Sequence, residues 1–353
     1  MRATPPANDF RPWDTVSAAR RLALEMPSTM PDEAARASIE QSVPTLASPF
    51  PGHGFHQALL EKCRSRNPLP AAVIYPIDGP SLAAAVEAAE ERLIVPILIG
   101  PAATIERAAS AAGLDVSPWE IVDAPNEGVA AALGAQLAHQ GRVQMLMKGS
   151  LHTDILLHAV LSHASGLRSS AWVSHVFLFD VPAYPKPLLL SDAVIAITPT
   201  LEQKAMICRN AIEVAHTIGI DLPKLAILSA TEDVEPTIPS TIDAAALCKM
   251  ADRGQITGAM VDGPLAMDNA INPVAAAAKE IISPVGGDAD ILIVPNLEAG
   301  NILYKSLTYF ADAQAAGVVI GASVPIILAS RADSVQTRIA SAALASVLAA
   351  KMT

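Results

Sequence analysis

Cysteine is scarce in this 353-residue chain: Cys63, Cys208 and Cys248 are odd in number, far apart and in no CxxC pair. A disulfide framework is excluded on that count, and reduced thiols in a cytosolic protein are expected. Charge is also sparse, at 17% of residues against 51% hydrophobic ones. That much apolar surface excludes global disorder and supplies a large core. No apolar run is long enough to cross a membrane: the uncharged stretch Ala313 to Ser330 is 18 residues, broken by Gln314, Gly317, Gly321, Ser323 and Pro325. It reads as strand, turn and strand. The N-terminus has no apolar h-region and carries Asp9, Asp14 and Glu25 among its basic residues, so neither a signal nor a transit peptide is expected.

A basic excess is missing as well. The net charge is −11, and residues 1–70 hold eight Lys or Arg against seven Asp or Glu, which leaves −12 on the remainder. Long-range attraction to nucleic acid or to an anionic membrane is thereby excluded as the basis of function. An anionic substrate would have to be held by a few local cations and backbone N–H groups.

What the chain does have is alternation. The first 66 or so residues carry Pro at 5, 6, 12, 27, 31, 44, 49 and 51 and read as an extension with short helical pieces at 14–26 and 31–42. From Ala71 short apolar runs alternate with Ala-rich helical stretches, the pattern of a parallel α/β layout. Strands are expected at 71–75, 95–100, 120–122 and 143–148, with helices at 81–93, capped by Ser81, at 102–112 and at 127–139. A second alternation places strands at 172–179, 192–197, 224–230, 258–263 and 289–295, and helices at 201–218 and 244–253. The strand at 324–330 and the terminal helix are expected to return to the first lobe. At 36.7 kDa the chain is about twice the size of a common single domain. It is therefore read as two doubly wound lobes around one cleft: an extension over 1–66, a first lobe from 67–152 joined by 316–353, and a second lobe over 153–315.

Ligands of open parallel sheets bind beyond the carboxyl ends of strands, where helix N-termini offer free N–H groups to anions. Four such exits carry small or polar residues: KGSLHTD after Met147, DGPLAMDN after Val261, PNLEAGN after Val294 and SRADS after Ala329. One loop of this kind is usually a capped helix start; four on one scaffold favour a cleft. HExxH and CxxC spacings, a GxxxxGK[ST] loop, a dinucleotide fingerprint after a strand and a GxSxG elbow are all absent. Ser, Thr, Asn, Lys and Arg at helix starts remain, an inventory suited to an oxygen-rich anion.

The longer motifs carry a resemblance. SHVFLFDVP at 174–182, PKPLLLSDAVIAITPTLEQK at 185–204, IPSTIDAAALCKMADRGQITGAMVDGPLAMDNAI at 238–271, GGDADILIVPNLEAGNILYKSLTYFA at 286–311 and VPIILASRADS at 324–334 resemble the phosphate acetyltransferase and phosphate butyryltransferase family. The similarity is greatest to the acyltransferase part of proteins that also carry an enoyl-CoA hydratase domain. The 66-residue extension is too short for such a domain. The resemblance implies a fold like isocitrate and isopropylmalate dehydrogenases, with homodimers or higher homo-oligomers built through the second lobe. It implies the reaction acyl-CoA + phosphate ⇌ acyl phosphate + CoA, in which coenzyme A is substrate or product and no metal or other cofactor is needed. Acetyl is the first choice of acyl group, with propionyl or butyryl behind it. A metal- and NAD-dependent hydroxy-acid dehydrogenase of the same fold is the alternative, although the second lobe lacks a DxxxD helix start for the metal.

Carried over residue by residue, the resemblance assigns Ser330 and Arg331 to the phosphoryl or CoA end of the reactants. The family's proposed base, an Asp seven positions after that Ser, is here Thr337, which makes Asp333 the nearest local replacement. A basic residue of some members on the helix after PNLEAGN is replaced by Tyr309, with Lys305 one turn earlier. Lys148, Gly149, Ser150 and Thr153 match the loop that meets the transferred group. Asp262, Asn296, Glu298, Gly300 and Asn301 match the second lobe's side of the cleft, the acidic ones as partners of Lys or Arg. His175 is expected to be a satisfied core histidine.

Overall fold

The computed structural model describes residues 54–167, 172–328 and 333–352. Most of the extension, including its helical pieces at 14–26 and 31–42, lies outside the described residues, as do Ser330 and Arg331. Among the described residues are eleven strands in one sheet: β1 Leu69–Ile74, β2 Ile94–Gly100, β3 Glu120–Asp123, β4 Met145–Lys148, β5 Ser174–Asp180, β6 Leu188–Ser191, β7 Lys224–Leu228, β8 Met260–Leu265, β9 Ile291–Ile293, β10 Gln314–Ile320 and β11 Ile326–Ile327. Their order is β3-β2-β1-β4-β11-β10-β5-β6-β9-β7-β8. The helices are α1 Phe55–Arg64, α2 Gly79–Glu90, α3 Ala102–Ala112, α4 Glu127–His139, α5 Thr153–Leu161, α6 Leu201–Ile218, α7 Pro239–Asp252, α8 Met267–Ile271, α9 Pro273–Ala278, α10 Leu297–Phe310 and α11 Val335–Met352.

The two expected alternations are two halves of this sheet, and they run in opposite senses. β3, β2, β1, β4 and β11 are mutually parallel. β6, β9, β7 and β8 are parallel to one another. Between them β10 pairs antiparallel with β11 and β5, and β5 antiparallel with β6. The expectation that 172–179 begins a parallel run is therefore corrected: β5 has antiparallel neighbours on both sides. A run of apolar residues signals a strand buried on both faces but not its direction.

Helices cover both faces, so strands such as Ala72–Ile74 and Leu189–Leu190 are sealed from water. α11 is the central helix of one face: every residue from Ala340 to Ala349 is buried, as in helices that are apolar all round. β11 joins the first half beside β4, so the chain does return to the first alternation. α1 falls within the stretch assigned to the extension, yet its Phe55, Leu59 and Cys63 are buried in the main core.

Two local expectations are corrected. Asp78, not Ser81, caps α2, its carboxylate accepting from Ser81 N at 2.9 Å. Pro80 fits the first turn because N–H groups there have no intrahelical partner. The expected strand at 192–197 is a turn built on Asp192, whose Oδ1 accepts from the N–H groups of Val194 (2.8 Å) and Ile195 (3.0 Å) while Oδ2 accepts from His175 N (3.1 Å). One buried carboxylate thus takes the N–H groups that a ladder would have used. The strand before it is LLLS, β6.

Candidate active site

Where the first half of the sheet ends, β4 delivers Lys148 to a tight loop. Gly149 N donates to Ile74 O and Ser150 N to Tyr75 O, each at 2.9 Å, which ties this exit to that of β1. The approach is close enough to demand glycine: a Cβ on Gly149 would lie 2.6 Å from Ile74 O and 2.8 Å from Tyr75 O. Ser150 Oγ accepts from Ile77 N at 3.3 Å and lies 3.1 Å from Ser81 Oγ. The Lys148 ammonium donates to the carbonyls of Gly149 and Leu151, both at 3.2 Å, and so pins the loop that starts α5 at Thr153.

Lys148 and Thr153 open onto a cavity of about 1180 Å³. Its other walls come from α1 (His56, Leu60, Arg64), β5 (His175, Phe177), α10 and the start of α11. From α10 come Asn301, Tyr304, Lys305, Thr308 and Tyr309, the i, i+3, i+4, i+7, i+8 spacing of one helix face. Lys305 is exposed, and its ammonium makes no hydrogen bond or ion pair among the described residues. Arg64, by contrast, is paired with Glu91 at 2.5 Å.

The approach to α11 contributes Asp333, Ser334 and Thr337. Thr337, which stands where the resemblance implies an Asp, is part of a cap: its N–H donates to Ser334 Oγ (3.1 Å) and its hydroxyl lies 3.0 Å from the same atom. Arg338 anchors this turn. Its guanidinium meets both Glu87 oxygens at 2.9 and 3.0 Å, and Nη1 donates to Asp333 O at 2.8 Å. The pair joins α11 to α2 and holds the backbone at Asp333.

Of the residues matched to the family, Lys148, Thr153, Asn301, Lys305 and Asp333 share this cavity, with Gly149 and Ser150 just behind it. Asp262, Asn296, Glu298 and Gly300 do not line it. Asp262 Oδ1 accepts from Gly263 N at 2.8 Å. Asn296 caps α10, accepting from Ala299 N at 2.9 Å. Gly300 is buried against Ala193, and Glu298 is exposed. The reversed sense of the second half accounts for the split. α10 starts at the exit of β9 and travels back, so that its later turns, not its first, reach the cavity.

The motifs alone left out an aromatic wall. Phe177 stacks on Tyr304 with centroids 4.2 Å apart and an interplanar angle of 12°. Burial, together with the negative charge of Asp333 and the neighbouring Tyr309, pushes the Tyr304 hydroxyl up to about 12. His175 lies 4.2 Å from Phe177, and burial drives its imidazole down to about 3. His56 is also held below its ordinary value by burial, against the opposing Gln314 hydrogen bond and Asp180 charge. The period-two pattern of SHVFLFD is the one sequence signal that puts His175 and Phe177 on a common face.

Residues 126–346 match the model of the family described as phosphate acetyl/butaryl transferase. A phosphate acetyltransferase of Rhizobium meliloti is 52% identical over 296 residues, 84% of this chain and 94% of that protein. A phosphate butyryltransferase of Clostridium acetobutylicum is 41% identical over 291 residues, covering 82% of this chain and 97% of the other. Among solved structures, a branched-chain phosphotransacylase from Enterococcus faecalis V583 superposes with a TM-score of 0.71 at 32% identity, over 80% of this chain and 99% of that one.

Proposed function

This chain belongs to the phosphate acetyl/butaryl transferase family of acyltransferases, and from that premise we propose that it moves an acyl group, acetyl by preference, between coenzyme A and inorganic phosphate in the cavity between β4, α10 and α11. The observation that carries the reading is convergence. Lys148 and Thr153, Asn301 and Lys305, and Asp333 come from three separate family motifs and line one space. At about 1180 Å³ it is somewhat above the range of about 300–1,000 Å³ usual for ligand sites. We read the two sheet halves as two lobes flanking that space, in the manner of the isocitrate and isopropylmalate dehydrogenases. The reversal of strand sense at β10 and β5 supports this.

The chemistry asks little of the protein beyond placement and charge. A phosphate oxygen attacks the thioester carbonyl carbon, the carbonyl oxygen takes up negative charge, and the C–S bond breaks as CoA leaves. Two anions must be brought together in a protein whose body carries about −12, so local cations decide the rate. Lys148 stands beside the start of α5, where the first N–H groups and the Thr153 hydroxyl are hydrogen-bond donors for phosphoryl oxygens. Lys305 supplies a second cation from the facing helix, and Asn301 an amide one turn before it. Ser330 and Arg331, which follow β11 in sequence, complete the set on the family resemblance; a guanidinium offers the bidentate grip that an ammonium cannot.

Asp333 is the carboxylate nearest in sequence to the position of the missing base. Thr337 is occupied with capping α11, so proton transfer to the departing sulfur falls to Asp333 or to the phosphate itself. The test is CoA release from a C2 to C6 acyl-CoA series with and without phosphate. Phosphate-dependent release greatest at C2 supports the proposal; a maximum at C4 makes the chain a butyryl-type enzyme, and no phosphate-dependent release overturns it.

A further inference from the structure

His175 sits in the middle of the sheet with 2% of its surface exposed. Its backbone is fixed on both sides, the N–H donating to Asp192 Oδ2 at 3.1 Å and the carbonyl accepting from Ser191 Oγ at 2.9 Å. Its side chain is not satisfied. Nδ1 is sealed from solvent and has no hydrogen-bond partner. Nε2 has no partner among the described residues either, and the residue lines the cavity with Lys148 and Thr153.

A core histidine kept for packing would have its nitrogens bonded, and an apolar side chain would fill the site without an orphaned polar atom. Space is nevertheless reserved for this ring. A Cβ on Gly317, in the neighbouring β10, would lie 2.6 Å from His175 Cε1 and 2.9 Å from Nε2. On the other side the ring rests on Phe177, itself stacked on Tyr304.

The tautomer follows from the same accounting. Burial keeps the imidazole neutral, so one nitrogen carries a proton and the other a lone pair. An orphaned N–H is the rarer and costlier defect, which leaves the lone pair on sealed Nδ1 and the proton on Nε2. The result is a fixed neutral donor on a residue of the cavity wall, the kind of group that stabilises a developing oxyanion without giving up its proton.

We propose that His175 is a catalytic residue of the acyl transfer, its Nε2–H donating a hydrogen bond to the acyl carbonyl oxygen as phosphate adds to the carbonyl carbon. This rests on the acyltransferase reading above. The phosphate oxygen forms the new C–O bond while the carbonyl π pair moves to oxygen. When that pair returns, the C–S bond breaks with its electrons on sulfur, and the proton of hydrogen phosphate ends on the CoA thiol. The imidazole keeps its proton throughout.

Steady-state kinetics with acetyl-CoA and phosphate test it. Wild-type turnover is the control: its absence with every acyl-CoA from C2 to C6 removes the acyltransferase reading, whatever His175 does. His175→Leu loses the donor and the orphaned nitrogen together, so we expect a melting temperature at or above wild type. We also expect kcat about 100-fold lower, with each KM within about 3-fold. His175→Gln places an amide N–H near the Nε2 position and should recover at least about 10-fold of that loss, whereas His175→Asn reaches only the Nδ1 position and should not. A folded His175→Leu protein with kcat within about 3-fold of wild type overturns the proposal. Should the Leu variant fail to fold, equal kcat in the Gln and Asn variants overturns it as well.

Discussion

Two strand ends with the same kind of sequence do different work in this fold. After β4, KGSLHTD turns its lysine and threonine toward an open cavity while its glycine and serine lock the loop to β1. DGPLAMDN, expected to follow a strand, instead begins within β8 and turns inward: Asp262 accepts from the next N–H, Cys248 Sγ donates to Gly263 O at 3.3 Å, and Asn269 is fully buried. The second half also spends its charges on itself, with Lys186 bridging Asp288 and Asp290 and Lys224 reaching Asp288, all within 2.6–2.8 Å. Composition at a strand end is thus insufficient to mark a site. The sense of the strand and what its loop meets decide whether polar groups face a ligand or the backbone.

The sharpest test of this contrast replaces the lysine at the open exit. Lys148→Ala removes a cavity cation and the two carbonyl contacts that pin the loop. We expect kcat/KM for acetyl-CoA and phosphate to fall about 100-fold or more, measured by CoA release. Next comes Gly149→Ala. Its Cβ would press on backbone oxygens, which cannot swing away, so a loss of about 1–3 kcal/mol is expected by chemical denaturation, with turnover falling alongside. An unchanged midpoint would mean that the β4 exit is not locked to β1 as described.

Arg338→Ala should separate anchoring from contact. It strands Glu87, whose side chain is 22% exposed, and releases Asp333 O. We expect a cost of about 2 kcal/mol in stability and about 10-fold in kcat, with Arg338→Lys recovering part of the first and little of the second.

Asp262→Asn, within β8, should change kcat/KM by less than about 3-fold, because its carboxylate serves a backbone N–H and not a ligand. A loss rivalling that of Lys148→Ala would erase the contrast. Smallest is an effect of pH on Asp288. Burial pushes its carboxyl up, but Lys186 and Lys224 prevail and hold it below the ordinary carboxylate value. Its contribution is therefore complete above the unfolded value near about 4 and disappears as pH falls through the lower folded value. With half the side chain exposed, under about 1 kcal/mol is expected. The melting temperatures of wild type and Asp288→Asn should differ at pH 7 and converge as the medium is taken well below pH 4.

Periodicity and caps made much of the fold legible. α3, α4 and α6 run over the residues expected from spacing alone, because each combines a breaker or cap with an amphipathic stretch. The return of β11 to the first half was also foreseeable, since one apolar run and one helix remained for it. Strand direction was not, and with it went the reading of Asn296, Glu298 and Asp262 as cleft residues. Nor was the pairing of Arg338 with Glu87, 251 positions apart, which no local pattern encodes. Asp192 looked like the first residue of a strand because three backbone N–H groups converging on one carboxylate leave no periodic trace. For His175 the pattern gave burial correctly, but only the neighbours of its ring nitrogens reveal that it is unsatisfied.

On the proposed function, reactants meet where β4, α10 and α11 converge, and the segment from β8 to Asn269 is scaffold. Hydrogen–deuterium exchange of the full chain with and without acetyl-CoA reads this directly, segment by segment. Slower exchange over residues 148–156 and 301–309, with no change over 260–269, is the predicted result. Protection at 260–269 with none at 148–156 would contradict it.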